Sequence, residues 1–224
     1  MTAMTDESAL RAAAKANPLD PTPRLMLADH LDELDRPLDA ALQRVLAEPD
    51  EDRHRLDYAS VCERLGDVAR AEFIRLQVEA HKYRVRGISP NHDDYPRLSA
   101  INQIEWQMAR SRPEWMTEAI SDPVSISIED CHDLAPDHAV ISFSRGFVGS
   151  VACAAADWIA NANTITESQP IARVRLTTMP NYEWQMGNLG PGWVKARTTG
   201  TQYLAQIALE YRWPRIIFEL PPRP

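Results

Sequence analysis

The apolar positions of this chain change period once along its length. From Arg24 onward, Leu25, Leu27, Ala28, Leu31 and Leu34 recur at mixed three- and four-residue spacing, the pattern of a helix that turns one stripe towards a core. Asp35-Arg36-Pro37 breaks the run, and Leu38, Ala41, Leu42, Val45 and Leu46 resume it up to Glu48-Pro49-Asp50. The plan then recurs as Leu56, Ala59, Val61, Cys62 and Leu65, a Gly66-Asp67 turn, and Ala71, Phe73, Ile74, Leu76 and Val78. Gly66 is placed to take the left-handed conformation that closes many helices. A short Ala-rich helix from Ser8 to Ala16, ended by Asn17-Pro18, precedes both runs. These segments predict antiparallel helices in pairs, with Phe73 buried between the two hairpins.

Beyond Asp122-Pro123 the period becomes two. Val124, Ile126 and Ile128 alternate with Ser125, Ser127 and Glu129, a half-buried strand pattern. Residues 139–143 form a second expected strand and 147–151 a third, with Arg145-Gly146 as the turn or bulge between them. A helix over 157–169, burying Trp158, Ile159, Ala162 and Ile165, ends at Pro170 and leads into a strand over 171–177. Tyr203, Leu204, Ile207, Ala208 and Tyr211 give another helical stripe, followed by Pro214 and a strand over 216–218. Helix–strand units in succession predict parallel strands joined by crossovers. The expected fold class is α+β: N-terminal helical-hairpin repeats packed on a C-terminal mixed sheet with helix–strand, leucine-rich-repeat-like units. The expected divisions are 1–84 for the helical module, 85–120 for connecting helices and 121–224 for the sheet domain.

The two helical runs are copies at one offset. Pro18 matches Pro49, Arg24 matches Arg55, Leu25 matches Leu56, Ala28 matches Ala59, and Arg44 matches Arg75, each 31 residues apart. A fixed period of this length marks stacked units that bury their apolar faces against one another. The second copy carries further detail: Glu48-Pro49-Asp50-Glu51-Asp52, then Arg55-Leu56, Tyr58-Ala59, Glu63-Arg64-Leu65-Gly66-Asp67 and Ala71-Glu72-Phe73-Ile74-Arg75-Leu76-Gln77. It closely resembles the bacterial repeat-companion domain, a short helical module often found upstream of leucine-rich-type repeats. The copy departs from that pattern at Ser60-Val61, where the family has Asp-Trp. The first copy keeps Ala28-Asp29-His30-Leu31-Asp32-Glu33 and loses the Phe-Ile-Arg-Leu-Gln ending. Gln103 to Trp106, Arg112 to Trp115, Arg145 to Val148 and Arg173 to Leu176 are similar to the family's downstream segments. The resemblance implies an interaction or scaffold role through the family's usual neighbours and brings no activity with it.

Composition narrows the classes. The 224 residues are 44% hydrophobic and 25% charged, ordinary for a folded domain, and the net charge is −8. An acidic chain repels phosphate backbones unless it builds a local basic stripe, so no nucleic-acid partner is expected. Lys82, Arg84 and Arg86 form the one basic cluster and read as a solvated helix end. Three cysteines without C-x-x-C spacing read as free thiols in a reducing cytoplasm. No run reaches the roughly 18–20 apolar residues that a membrane helix needs. Glu72 and Arg75, three apart on a helix, read as a local pair or a tie to the neighbouring hairpin.

Candidate chemistry is sparse. The stretch from Asn181 to Trp193 holds three glycines without a phosphate-loop ending. Its Tyr182, Trp184, Met186 and Trp193 are residue types that anchor interfaces, and they are the expected interaction residues; packing on the sheet edge is the competing reading. Cys131, His132 and His138, with Asp130, Asp133 and Asp137, form the best metal-like group. They lack the second Cys/His pair of a four-ligand zinc site and read as a polar loop. His30 beside Asp29 and Asp32 reads as a solvated helical face. No cofactor is expected. The leading function is a non-catalytic protein–protein interaction or scaffold component binding another protein; the alternative is a small hydrolase-like or metal-dependent enzyme using the region around His132.

Overall fold

Prolines open some of the N-terminal helices, and residues with positive φ close some of them. The computed structural model describes residues 6–112, 115, 140–178 and 208–221. Helices α1 (Asp6–Ala16), α2 (Thr22–Glu33), α3 (Pro37–Ala47), α4 (Asp52–Arg64), α5 (Val68–Val85) and α6 (Tyr95–Ser111) follow one another as an array. Prolines sit in the first turns of α2 and α3, where a missing N–H leaves nothing unpaired. The Asp67 carboxylate caps α5 by accepting from the Arg70 N–H at 3.0 Å.

Helices α2 and α4 close identically. Asp35 (φ 57°) and Gly66 (φ 93°) take the left-handed conformation. The Arg36 N–H then donates to Leu31 O at 3.0 Å, and the Asp67 N–H to Cys62 O at 2.9 Å, the long bond of a Schellman closure. These equivalents lie 31 residues apart, as do the ion pairs Arg44–Asp32 at 2.7 Å and Arg75–Glu63 at 2.6 Å. Arg75 therefore ties α5 to α4 within its own hairpin and does not take Glu72. Asp29 also pairs with Arg44, at 2.9 Å, so the acids around His30 serve a helix–helix tie.

Val45, Ala59, Cys62, Ala71, Ile74 and Val78 fill the space between the hairpins. Phe73 is fully buried, yet on another side: its ring packs against Trp115 at 4.9 Å and Phe143 at 5.2 Å. Successive helical residues are about 100° apart around the axis, so Ile74 at the hairpin seam sends Phe73 towards the sheet. Leu34 and Leu65, expected on the core stripe, are 51% and 61% exposed. Each occupies the C-cap position, where the chain has already left the helical path.

The C-terminal half confirms the α+β class. Strands β1 (Val140–Ser144) and β2 (Phe147–Cys153) pair antiparallel, helix α7 (Ala155–Ser168) crosses over, and β3 (Arg173–Leu176) returns parallel to β2. Strand β4 (Ile217–Glu219) pairs parallel to β3, completing the order β1-β2-β3-β4. The expected strand over Val124–Ile128 lies outside the described residues. Trp158 of α7 is fully buried over the sheet and meets Trp213 and Phe218 edge-on at 5.5 Å and 6.0 Å.

Cys62 and Cys153 are free and buried. Burial pushes the Cys62 thiol up to about 11 and the Cys153 thiol to about 12. In the unfolded chain such thiols ionise near about pH 8.5. Their contribution to stability is therefore complete below that pH and is lost as pH rises towards the folded values. With Ellman's reagent at pH 8, these two are expected to react only as the chain unfolds. Immediate labelling of both in the native protein would contradict their burial.

Candidate functional site

A two-residue turn joins the sheet to the helices. Arg145 (φ 52°) and Gly146 (φ 87°) both take positive φ, as the tight hairpin turns matched to strand twist require. The buried Gly146 N–H donates to Gln77 Oε1 of α5 at 2.7 Å. A Cβ on Gly146 would lie 2.8 Å from Ile74 Cβ, so glycine here allows both the turn and the approach. Arg55 of α4 donates to Ser144 O at 3.3 Å, Arg145 O at 3.2 Å and Pro49 O at 2.7 Å. In return Arg145 donates to Asp50 O at 3.0 Å and pairs with the Asp50 and Asp52 carboxylates at 3.1 Å and 3.3 Å. Phe147 then enters the helical core, with Tyr58 edge-on at 5.0 Å and the Arg55 guanidinium 5.3 Å above its ring.

Beside this dock, α1–α3 and the sheet enclose a cleft of about 960 Å³, the size of a pocket for a small ligand or peptide segment. Among the described residues its lining holds eight cationic side chains against two acidic ones, Asp50 and Glu167. The helical wall supplies Arg11, Lys15 and Arg24; facing it are Arg173 of β3 and, from the segment leading into β4, Arg212 and Arg215; Arg55 and Arg145 close one end. Leu27, Leu46, Ile171, Trp213 and Ile216 add apolar surface between them.

These cations differ in what they already bind. Arg215 donates to Leu46 O at 3.2 Å and Ala47 O at 3.3 Å, satisfying carbonyls left open at the end of α3, and to Leu19 O between α1 and α2 at 2.9 Å. Lys15 meets Glu167 at 3.3 Å and Arg173 meets Glu219 at 3.2 Å. Arg24 makes a single hydrogen bond among the described residues, to Gln43 Oε1 at 3.0 Å. Burial, and then the nearby Arg215 charge, holds its pKa below the usual arginine value, with Glu167 opposing. Burial, with Arg145 beside it, likewise brings Arg55 down to about 10. Both remain cationic at neutral pH, so the cleft carries a concentrated positive field inside an acidic chain.

Tyr182, Trp184, Met186 and Trp193 fall outside the described residues, as do Cys131, His132 and His138. Among the described residues, no group of three His, Cys, Asp or Glu side chains is placed to hold a metal ion, and no helix is long and apolar enough to cross a membrane. In the Lys82–Arg86 cluster, Arg84 is engaged with α6, meeting Asn102 at 2.6 Å and Glu105 at 3.0 Å.

No protein-family model matches the chain, and it matches no curated protein and no solved structure.

Proposed function

We propose that this protein is a non-catalytic interaction component whose recognition surface is the cationic cleft, and that its ligand is an acidic segment of a partner protein. The observation that carries this reading is the charge reversal: an acidic chain gathers eight cations around one half-enclosed cavity. Apolar side chains between guanidinium groups suit a peptide that offers both carboxylates and a hydrophobic anchor. The duplicated helical hairpins and the resemblance of residues 48–77 to the repeat-companion module support a binding role over a catalytic one. Two buried free thiols fit a reducing compartment, and we assign the protein to the cytoplasm on that ground.

Panning a random peptide-display library on the full chain tests this directly. Acidic peptides are expected to be enriched, and enrichment is expected to vanish on the double charge reversal Arg24→Glu with Arg212→Glu. Peptides without acidic bias, or acidic peptides retained equally by the double variant, would count against the cleft as the recognition surface.

A further inference from the structure

The eight cations of the cleft fall into two sets. Arg11, Lys15, Arg145 and Arg173 each meet a carboxylate of the chain itself, at distances from 2.8 Å to 3.3 Å. Arg24, Arg55, Arg212 and Arg215 meet none among the described residues. Two of these four are nonetheless occupied, because Arg55 and Arg215 each donate to three backbone carbonyls. Arg24 and Arg212 keep donors to spare. Arg24 spends one bond on Gln43 Oε1, and a guanidinium has five N–H groups to give. Arg212 makes no hydrogen bond or ion pair among the described residues. Like charge also crowds Arg24: besides its burial, Arg215 and Arg11 both act against its cationic form, while the opposing Glu167 is shared with Lys15 at 3.3 Å.

On the reading of the cleft as the recognition surface, we propose that its acidic segment carries a phosphorylated serine or threonine, bound by Arg24 and Arg212, and that phosphorylation of the partner switches binding on. A carboxylate brings one negative charge and two oxygens. A phosphorylated hydroxyl brings about 1.5 to 2 charges and three acceptor oxygens. Two guanidinium groups without a carboxylate, each a planar fork of donors, match that second charge and third oxygen. A lone aspartate or glutamate leaves one fork unmet and the crowding around Arg24 only half relieved. Leu27, Leu46, Ile171, Trp213 and Ile216 share the lining and favour a peptide over a free phosphate compound, because a neighbouring apolar side chain covers surface that the anion alone leaves wet. The net charge of −8 disfavours the long phosphate backbone of a nucleic acid.

Three labelled peptides, Glu-Leu-X-Leu-Glu with X as serine, glutamate or phosphoserine, form the test against the full chain. In fluorescence anisotropy at physiological salt, the phosphoserine peptide is expected to bind roughly tenfold or more tighter than the glutamate peptide, the scale of one further charge-assisted hydrogen bond. The serine peptide is expected to bind weakest. Arg24→Gln should weaken the phosphoserine peptide by roughly the same factor and the glutamate peptide by less, at an unchanged melting temperature. Should Arg24→Gln lower the melting temperature, Arg212→Gln repeats the test at a residue with no hydrogen bond or ion pair among the described residues. Equal affinity for the phosphoserine and glutamate peptides would overturn the phosphate inference while leaving the cleft as an acidic-segment site, and so would equal weakening of both peptides by both variants. Inorganic phosphate that displaces the phosphoserine peptide at the same concentration as its unlabelled copy would overturn the assignment to a partner protein. Binding of none of the three peptides would overturn the phosphoserine anchor; library panning decides the broader reading independently.

Discussion

Gly146→Val is expected to cost about 3–8 kcal/mol of folding stability. The position has φ 87°, where an L-residue loses about 1–2 kcal/mol and a β-branched one more. The added Cβ would stand 2.8 Å from Ile74 Cβ and 2.9 Å from Ile74 Cα, and overpacking of this kind adds about 1–3 kcal/mol. Displacing the turn also strands Gln77 Oε1, the buried acceptor of the Gly146 N–H, at about 1–3 kcal/mol. Gly66→Ala is the matched control, because Gly66 has φ 93° but nothing within 4 Å of its would-be Cβ. That variant should lose only the backbone term. Urea denaturation separates the two, and equal losses would mean that Gly146 is not seated on Ile74.

Phe147→Ala carries the second large effect, about 3–5 kcal/mol, the range for truncating a core aromatic. Phe147 is 1% exposed, belongs to β2, and is buried among helices α3–α5. Its loss leaves a cavity in the helical core and removes the ring beneath Arg55, a guanidinium already desolvated. For a chain of this length each kcal/mol moves the melting temperature by roughly 2–4 °C, so a fall of roughly 6–20 °C is expected in calorimetry. A shift below about 2 °C would show that the ring is not part of that core.

Much of the architecture was legible because it is written in local spacing. The 31-residue copies, the left-handed Gly66 and the short apolar runs of β1 and β2 all express themselves within a few residues of chain. Phe73 and Ile74 show where that legibility stopped: neighbouring apolar residues on a helix both read as core, and only the partner elements decide which faces the hairpin seam and which the sheet. Leu34 and Leu65 fit the stripe by spacing but stand at helix ends. The cleft was invisible for a different reason. Arg11, Arg24 and Arg173 come from α1, α2 and β3, far in sequence from Arg212 and Arg215, so the linear order does not group them, while in the Lys82–Arg86 cluster that did stand out Arg84 is spent on α6. Arg145-Gly146 was readable as a turn; its attachment to Arg55 and Gln77, 90 and 69 residues away, was not.

That attachment also has a temporal side. During synthesis the helices emerge first, and the second hairpin leaves the ribosome with its socket vacant: Arg55 has no Ser144 or Arg145 carbonyl to bind, Gln77 no Gly146 amide, and the seam no Phe147. Until the chain has been extended past β2, the nascent array exposes an apolar hollow, the kind of surface that attracts holding chaperones, and Arg55 keeps only Pro49 O and water as partners. Closure of the array is thus timed by a turn encoded some 90 residues downstream of Arg55, and a pause in translation before that point would lengthen the interval in which the first half stands open.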